Sequence, residues 1–394
     1  MLGLRKEDHS MDERERRFLA VGAYLAGAAP TEVARTVGRT VRWLLKWARR
    51  YREGRPDWAQ DRSRAPHRMP GRSPTWVERL IVRVRRTLMT RPRVQHGAQA
   101  IRQVLAERGV TPLPRVGLIN RVLTRHGLVS RRQRRFTPKG LPYPAIMPTG
   151  ALCHALDPVG PRYLEGDGRF FSLHTMLVNS REVALEPHRR LTDPILLEAL
   201  WKTWQRLGLP DYAQMDNKPP FTPSPRNPYR LSQVLRLLLT CGIEPIFIAL
   251  AEPWRNGHVE RFNSTYDQRF FRAQRFGSFA ALVQASRGFE RYHNHEWRYS
   301  TLGNRTPAEV GATLVRRYPP TGPLPLLEPG VPPGRIHVVR LVRSDQRVDL
   351  FGIRLRVRVA FMYRYLHATI STTEHCVRLY ADGRLVKEQA WPVE

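Results

Sequence analysis

Asp157, Asp216 and Glu260 are the carboxylates whose surroundings set them apart in this chain. The apolar run 151–157 ends in Asp157, with Pro158 and Gly160 immediately behind it, and the run 211–215 leads directly into Asp216-Asn217. Strand ends of this kind are the usual seats of functional side chains in α/β folds, although each residue alone also suits a turn or a helix cap. Glu260 follows the breakers Pro253 and Gly257 and lies early in a helix whose stripe is Val259, Phe262, Tyr266 and Phe270. Taken singly, such a glutamate is ordinary dipole chemistry. Three acids brought together repel unless cations neutralise them, and carboxylate oxygens with few soft ligands favour Mg²⁺ or Mn²⁺. Two such ions ~3.5–4 Å apart activate a nucleophile and stabilise a phosphoryl leaving group.

The elements that must position these acids follow in an alternating order. Strand patterns at 151–157, 169–177 and 183–186 precede an amphipathic helix over 193–207, with Asp193 read as its cap and Pro194 at its first position. Strand 211–215, helix 231–240, strand 244–250 and the Glu260 helix complete an α/β layer with a mixed sheet.

Charge points to the partner. The 394 residues carry a formal net charge of +32, and 33 of the 66 Lys+Arg but only 11 of the 34 Asp+Glu lie in residues 1–140. A polyanion, nucleic acid first, is the expected partner; no apolar span or signal-peptide pattern speaks for a membrane. Residues 12–55 read as three short helices. The first turns Phe18, Val21, Tyr24 and Leu25 inward. The third turns Val41, Leu44, Leu45 and Trp47 inward and leaves Arg39, Arg42 and Lys46 for a major groove. A basic Pro/Gly/Ser-rich linker spans 56–74, suited to a phosphate backbone. A second helix-turn-helix pattern covers 75–135, with Trp76, Leu80, Val84 and Leu88 on the buried side of its first helix. Arg115, Asn120 and Arg121 are its DNA contacts, and Arg131, Arg132, Arg134 and Arg135 are phosphate contacts.

Beyond the core region 148–315, residues 335–394 alternate polar and apolar residues in short strands, which predicts a small SH3-like β-barrel. Cys153, Cys241 and Cys376 form no CxxC pair, so neither a disulfide scaffold nor a cysteine zinc site is indicated, and a cytoplasmic protein fits. The expected fold is multidomain: N-terminal all-α helix-turn-helix units, a central α/β core with a mixed sheet, and the C-terminal barrel.

Several motifs agree in order and polarity with one known group: His154-Ala155-Leu156-Asp157, Gln214-Met215-Asp216-Asn217, Pro253-Trp254-Arg255-Asn256-Gly257-His258-Val259-Glu260-Arg261-Phe262-Asn263, Tyr292-His293-Asn294 and Arg305-Thr306-Pro307-Ala308-Glu309-Val310. Residues 151–263 resemble the ribonuclease-H-like catalytic core of the retroviral-integrase and insertion-sequence transposase superfamily. The whole layout is similar to bacterial transposases with an N-terminal helix-turn-helix region. The resemblance implies Asp157, Asp216 and Glu260 as catalytic and metal-binding residues, with two Mg²⁺ or Mn²⁺ ions. It further implies 3′-end cleavage followed by strand transfer, double-stranded DNA at element ends and target, a homo-oligomer on DNA, and a nucleoid-associated protein of a bacterial cytoplasm.

Glu252 lies 36 positions after Asp216 and competes with Glu260, at 44, for the third place. Glu252 precedes a proline, whereas Glu260 has the family's helical Asn-Gly-x-Val-Glu context. Lys218, Arg255 and Arg261 are candidate phosphate contacts. Lys218 replaces the family's usual glycine, and Asn179 stands where many relatives have aspartate. The rival readings are a DNA-binding regulator whose core no longer cuts and a ribonuclease-H-like nuclease that only hydrolyses.

Overall fold

The computed structural model describes residues 12–61, 73–129, 140–224 and 226–394, which fall into two compact units divided after residue 73. In the first, α1 (Glu13–Leu25), α2 (Pro30–Thr36) and α3 (Val41–Arg52) close on Ala20, Val21, Val33, Leu44, Trp47 and Trp58. Thr40 caps α3 by accepting from the Trp43 amide, which releases the chain from the α2 turn at a fixed angle. The buried face of α1 differs from the expected one: Arg17 is buried, while Phe18 and Leu25 are about half exposed. Arg17 donates to the Ala59 carbonyl at 2.7 Å and to Asp61 at 3.0 Å, and its guanidinium lies 3.9 Å from the Trp47 ring. Phe18 is left to pack at the rim on Trp58. Leu45, expected inward, is also exposed.

The second unit begins with α4 (Thr75–Met89), α5 (Ala98–Glu107) and α6 (Val116–Arg125). Its α4 buries Val84 and Leu88 as expected, whereas Trp76 is exposed and Leu80 half-buried, with Val77 and Ile81 turned inward in their place. This helical unit is fastened to the rest of the second unit through residues 93–96. The Gln95 side-chain amide exchanges two hydrogen bonds with the Arg298 backbone (3.0 and 2.9 Å), and Arg93 donates to Gln274 at 2.7 Å.

The core follows as β1 (Cys153–Leu164), β2 (Gly168–Leu177), β3 (Val183–His188), α7 (Asp193–Leu207), β4 (Tyr212–Met215), α8 (Gln233–Thr240), β5 (Glu244–Phe247), α9 (Gly257–Tyr266), α10 (Phe279–His295) and α11 (Pro307–Gly311). The order is the expected one; the cap of α7 is Thr192, with Asp193 already helical. The chain then adds β6 (Arg335–Leu341), β7 (Arg347–Leu350), β8 (Ile353–Arg356), β9 (Tyr365–Ser371), β10 (Cys376–Ala381) and β11 (Arg384–Ala390).

Nine strands form one mixed sheet in the order β11-β10-β9-β6-β5-β4-β1-β2-β3, with β7 and β8 as a separate hairpin. The expected C-terminal barrel is therefore corrected. β6 pairs in parallel with β5 (Ile246 opposite His337, Phe247 opposite Val338), and the later strands extend the core sheet without closing on themselves. Ile336, Val338, Leu366 and Ala368 enter the same core as Leu235 and Leu238 of α8, so these strands need no core of their own. That core also takes in Leu196, Leu200 and Trp204 of α7 on one face of the sheet. On the other face, Val259, Phe262 and Tyr266 of α9 and Phe289 of α10 pack on Ala155, Met176 and Leu185. No described helix is long and apolar enough to cross a membrane.

Candidate active site

The two aspartates sit on neighbouring parallel strands. Cys153 faces Tyr212 and Ala155 faces Gln214 across the β1–β4 ladder. Strand alternation puts Asp157 on the side of Ala155, and Asp216, one residue past β4, on the side of Gln214. Ala155 belongs to the core under α9, so both carboxylates open toward that helix. Asp157 does not end its strand as expected. β1 continues to Leu164, pairing Asp157 with His174 and Pro158 with Leu173 of β2. What ends near Asp157 is the pairing with β4, which stops at Ala155–Gln214. Asp157 thus lies where β1 outruns its parallel neighbour, and the side chain gains space without a turn.

Glu260 is placed by the start of α9. Asn256 is buried; its amide donates to the Leu156 carbonyl of β1 at 3.2 Å and accepts from Gln214 Nε2 of β4 at 3.2 Å. Gln214 also donates to the Arg255 carbonyl at 3.1 Å. One asparagine and one glutamine therefore pin the helix to both acid-bearing strands, and Val259 and Phe262 fix its rotation. One turn beyond Glu260, Asn263 Nδ2 donates to Asp157 at 2.5 Å, while its Oδ1 meets His174 Nδ1 at 2.7 Å. Burial holds His174 down to about 4, so it is neutral, and the Nδ1–H tautomer donates to Asn263.

The electrostatics join the three acids. Burial, then the Asp216 and Glu260 charges, push the Asp157 carboxyl up to about 6, against the pull of Lys218 and Asn263. Burial and Asp216 also raise Glu260, opposed by Lys218. Lys218 Nζ stands 3.0 Å from Asp216 Oδ2, and its own pKa is raised by that bond. Hard oxygen donors that destabilise one another's ionised forms suit a hard divalent cation, and an ammonium already on Asp216 shows that the cluster draws positive charge. In the present arrangement, no three His, Cys, Asp or Glu side chains among the described residues stand close enough to hold a metal ion. The chemistry of the donor set fits Mg²⁺ or Mn²⁺, with Lys218 and the carboxylate rotamers having to yield to it.

Other candidates divide clearly. Glu252 is held away from the cluster, accepting from Tyr365 Oη at 2.5 Å and Arg255 Nε at 3.0 Å. Arg255 is correspondingly engaged, its guanidinium 3.9 Å from the Tyr143 ring, while Arg261 is exposed. On α3, Arg42 and Lys46 are exposed, and Arg39 before it is exposed and ion-paired with Glu13. Arg115, Asn120 and Arg121 are exposed along α6. Arg131, Arg132, Arg134 and Arg135 lie outside the described residues. Asn179 donates to the Ala151 carbonyl at 2.9 Å and accepts from the Cys153 amide at 3.0 Å. An aspartate there would lack the donor, so asparagine has a bracing role at the start of β1.

Arg340 of β6 went unread in the sequence. Its buried guanidinium donates to Asn217 Oδ1 at 2.8 Å and to the Val339 carbonyl at 2.9 Å, and burial lowers it to about 10. Asn217 in turn donates to the Ile248 carbonyl at 2.7 Å, so the turn bearing Asp216 is braced from β6. An arginine in an alternating strand carries no sign that it turns inward. The asparagine flanking Glu260 was a legible signal; its bond to Asp157 depends on a β1 that continues past the acid.

Residues 241–307, which contain Glu260, match the family described as Integrase core domain, and residues 11–58 match Homeodomain-like domain. The chain carries an integrase core segment and a helix-turn-helix segment. Together they support a DNA-binding protein of the transposase and integrase kind, acting in DNA recombination. No curated protein matches the chain. Among solved structures, the simian T-cell lymphotropic virus intasome in complex with PP2A regulatory subunit B56 gamma is similar at 14% identity. That match covers 74% of this chain and 93% of the other, with a TM-score of 0.36. The HTLV-2 integrase catalytic core domain in complex with magnesium is similar at 15% identity over 40% and 94%, with a TM-score of 0.30. The BIV integrase catalytic core domain is similar at 16% over 41% and 95%, also with a TM-score of 0.30.

Proposed function

We propose that the chain is a transposase of the bacterial insertion-sequence type, which binds the ends of a mobile element and catalyses metal-dependent 3′-end cleavage and strand transfer. The observation that carries this reading is the placement of Asp157 and Asp216 on adjacent parallel strands beneath the helix of Glu260, which Asn256 pins to both strands and Asn263 ties to Asp157. The integrase core and helix-turn-helix matches support it. A divalent cation, two per site in the full scheme, supplies nucleophile activation and charge neutralisation at the phosphate.

The chain's own residues do the rest. Asp157, Asp216 and Glu260 would hold the cation; Asn263 and His174 orient Asp157; Asn256 and Gln214 fix Glu260 relative to both aspartates. Arg340 and Asn217 brace the Asp216 turn. Water attacks the phosphodiester at the element's end and the 3′ oxygen leaves as a hydroxyl. In the second reaction that hydroxyl attacks a target phosphodiester, expelling another 3′ oxygen. Arg42, Lys46, Arg115, Asn120 and Arg121 contact end DNA, and Lys218 and Arg261 meet phosphates near the acids. The number of active protomers follows from two ends having to be joined, which calls for a multimer.

The Lys218–Asp216 ion pair favours one rival, a DNA-binding relative whose core does not cut. Strand transfer with the DNA flanking the reading frame, in Mg²⁺ or Mn²⁺, separates them: joined products support the transposase, and binding without any cleavage in either metal supports the rival. Cleavage without joining identifies a hydrolytic nuclease.

A further inference from the structure

Away from the carboxylates, the same sheet face carries a cavity of about 660 Å³ between strands β4, β5, β6, β9 and β10 and the segment 142–148. Aromatic rings cross its floor strand by strand. Tyr212 lies 6.0 Å from His337, His337 5.1 Å from His367, and His367 5.7 Å from Tyr380, measured between ring centroids. Successive rings tilt by 45°, 40° and 32°, so they form a band and not an edge-to-face knot. Polar groups run beneath it: His337 meets Glu244 at 2.8 Å and His367 at 2.9 Å, and Thr369 reaches His367 at 3.2 Å. The arginines at the cavity are engaged within the protein, Arg335 with Glu244 and Arg378 with Glu374 and Glu388. His337 is buried with both ring nitrogens engaged, so what the cavity offers is the partly exposed rings of Tyr212, His367 and Tyr380, which match nucleobases better than phosphates.

Its position ties it to the acids. Tyr212, Gln214 and Asp216 alternate onto one face of the β4 line, four residues or ~13 Å from end to end, which is about four stacked nucleotides of one strand. Gln214 is covered by Arg255 and Asn256, so a strand reaching from one site to the other passes over the start of α9. Between them stands Arg255, its guanidinium 3.9 Å from the Tyr143 ring and 5.2 Å from the Tyr365 ring. We propose that this cavity takes unpaired bases of the DNA strand next to the phosphodiester held at Asp157, Asp216 and Glu260, stacking them on the rings of Tyr212, His367 and Tyr380. The inference rests on the transposase reading for the identity of the strand. It adds a binding site for the splayed flank of the substrate, and stacking makes that site tolerant of sequence.

The test uses the full chain, in EDTA so that nothing is cut, with two generic oligonucleotides: a blunt duplex and the same duplex ending in a four-nucleotide fork. Fluorescence anisotropy gives the ratio of their affinities, and 2-aminopurine in the fork reports stacking directly. The fork is expected to bind more tightly, by about five- to a hundredfold for each base stacked, with 2-aminopurine quenched. Tyr212→Ala and Tyr380→Ala should each reduce the fork preference and relieve the quenching, with duplex affinity unchanged; Tyr380→Phe should keep both. A fork preference and quenching that persist in both alanine variants would overturn the proposal, as would equal binding of fork and duplex by the unaltered chain. Failure to bind either DNA would overturn the transposase reading together with it.

Discussion

At the scale of single residues, the site's behaviour turns on charge held in a partly buried cluster. Asp157 carries its proton up to about 6 in the folded chain, against ~3.9 for an unfolded aspartate. The folded state binds that proton more tightly, so Asp157's contribution to stability is fully present below the unfolded value and is lost as pH rises toward 6. A cation must displace the same proton. The stabilisation conferred by Mg²⁺, read as the increase in Tm, should therefore be small near pH 5 and grow to a plateau above about pH 7, and Asp157→Asn should abolish it. Lys218 competes for the same charge. Lys218→Gln should tighten Mg²⁺ binding about two- to fivefold in calorimetry, the scale of an exposed ion pair; unchanged or weaker binding would show that the ammonium does not oppose the cation. The three acids stand out in the sequence through strand, turn and helix context, although β1 runs on past Asp157 to Leu164. The bond from Asn263 to Asp157 does not, because a side-chain pair 106 positions apart leaves no local pattern.

Elements explain both what could be read and what could not. Helix α7 was legible to its bounds since its apolar stripe is long and it ends at Gly208. In α1 and α4 part of the expected stripe is buried (Val21; Val84 and Leu88), and the rest turns outward where Arg17 and Glu78 are buried through polar partners, which no hydrophobic pattern shows. The C-terminal strands alternate as a barrel or an open sheet equally would; only the pairing of β6 with β5 decides, and that is long-range. One consequence is that β6 braces the site. Arg340→Met leaves the Ile248 and Val339 carbonyls and Asn217 short of a donor and should cost about 1–3 kcal/mol in denaturant unfolding. It should also lower Mg²⁺ affinity by loosening the Asp216 turn. If metal binding is untouched, β6 is scaffold alone. Asn256→Ala removes the tie from α9 to β1 and β4 and should cost a similar ~1–3 kcal/mol while depressing turnover more than DNA affinity. An equal loss of both would place Asn256 outside the site's positioning network.

For the whole molecule, the net charge of +32 and the basic first 140 residues make DNA affinity an electrostatic quantity. With six to ten phosphates contacted, affinity should fall about 10³–10⁵-fold between 50 and 200 mM salt. A flat salt response would contradict the assignment of Arg42, Lys46, Arg115 and Arg121. The helical unit α4–α6 is clasped to the core through Gln95 and Arg93, so the distance from α6 to the acids is set by the fold within that unit. The division into helical units and an α/β core was readable from charge and period, whereas the clasp and the nine-stranded sheet were not, because both depend on contacts distant in sequence.

The central claim, that Asp157, Asp216 and Glu260 form one catalytic centre, is tested most directly by strand transfer with flanking-DNA substrates in Mn²⁺, comparing Asp216→Asn, Glu260→Gln and Glu252→Gln. The account predicts that the first two lose cleavage and joining by more than a thousandfold, the scale of a two-metal site losing a ligand (~10³ or greater). End binding should be retained in both, and Glu252→Gln should still join. Joining by Glu260→Gln together with its loss in Glu252→Gln would contradict it.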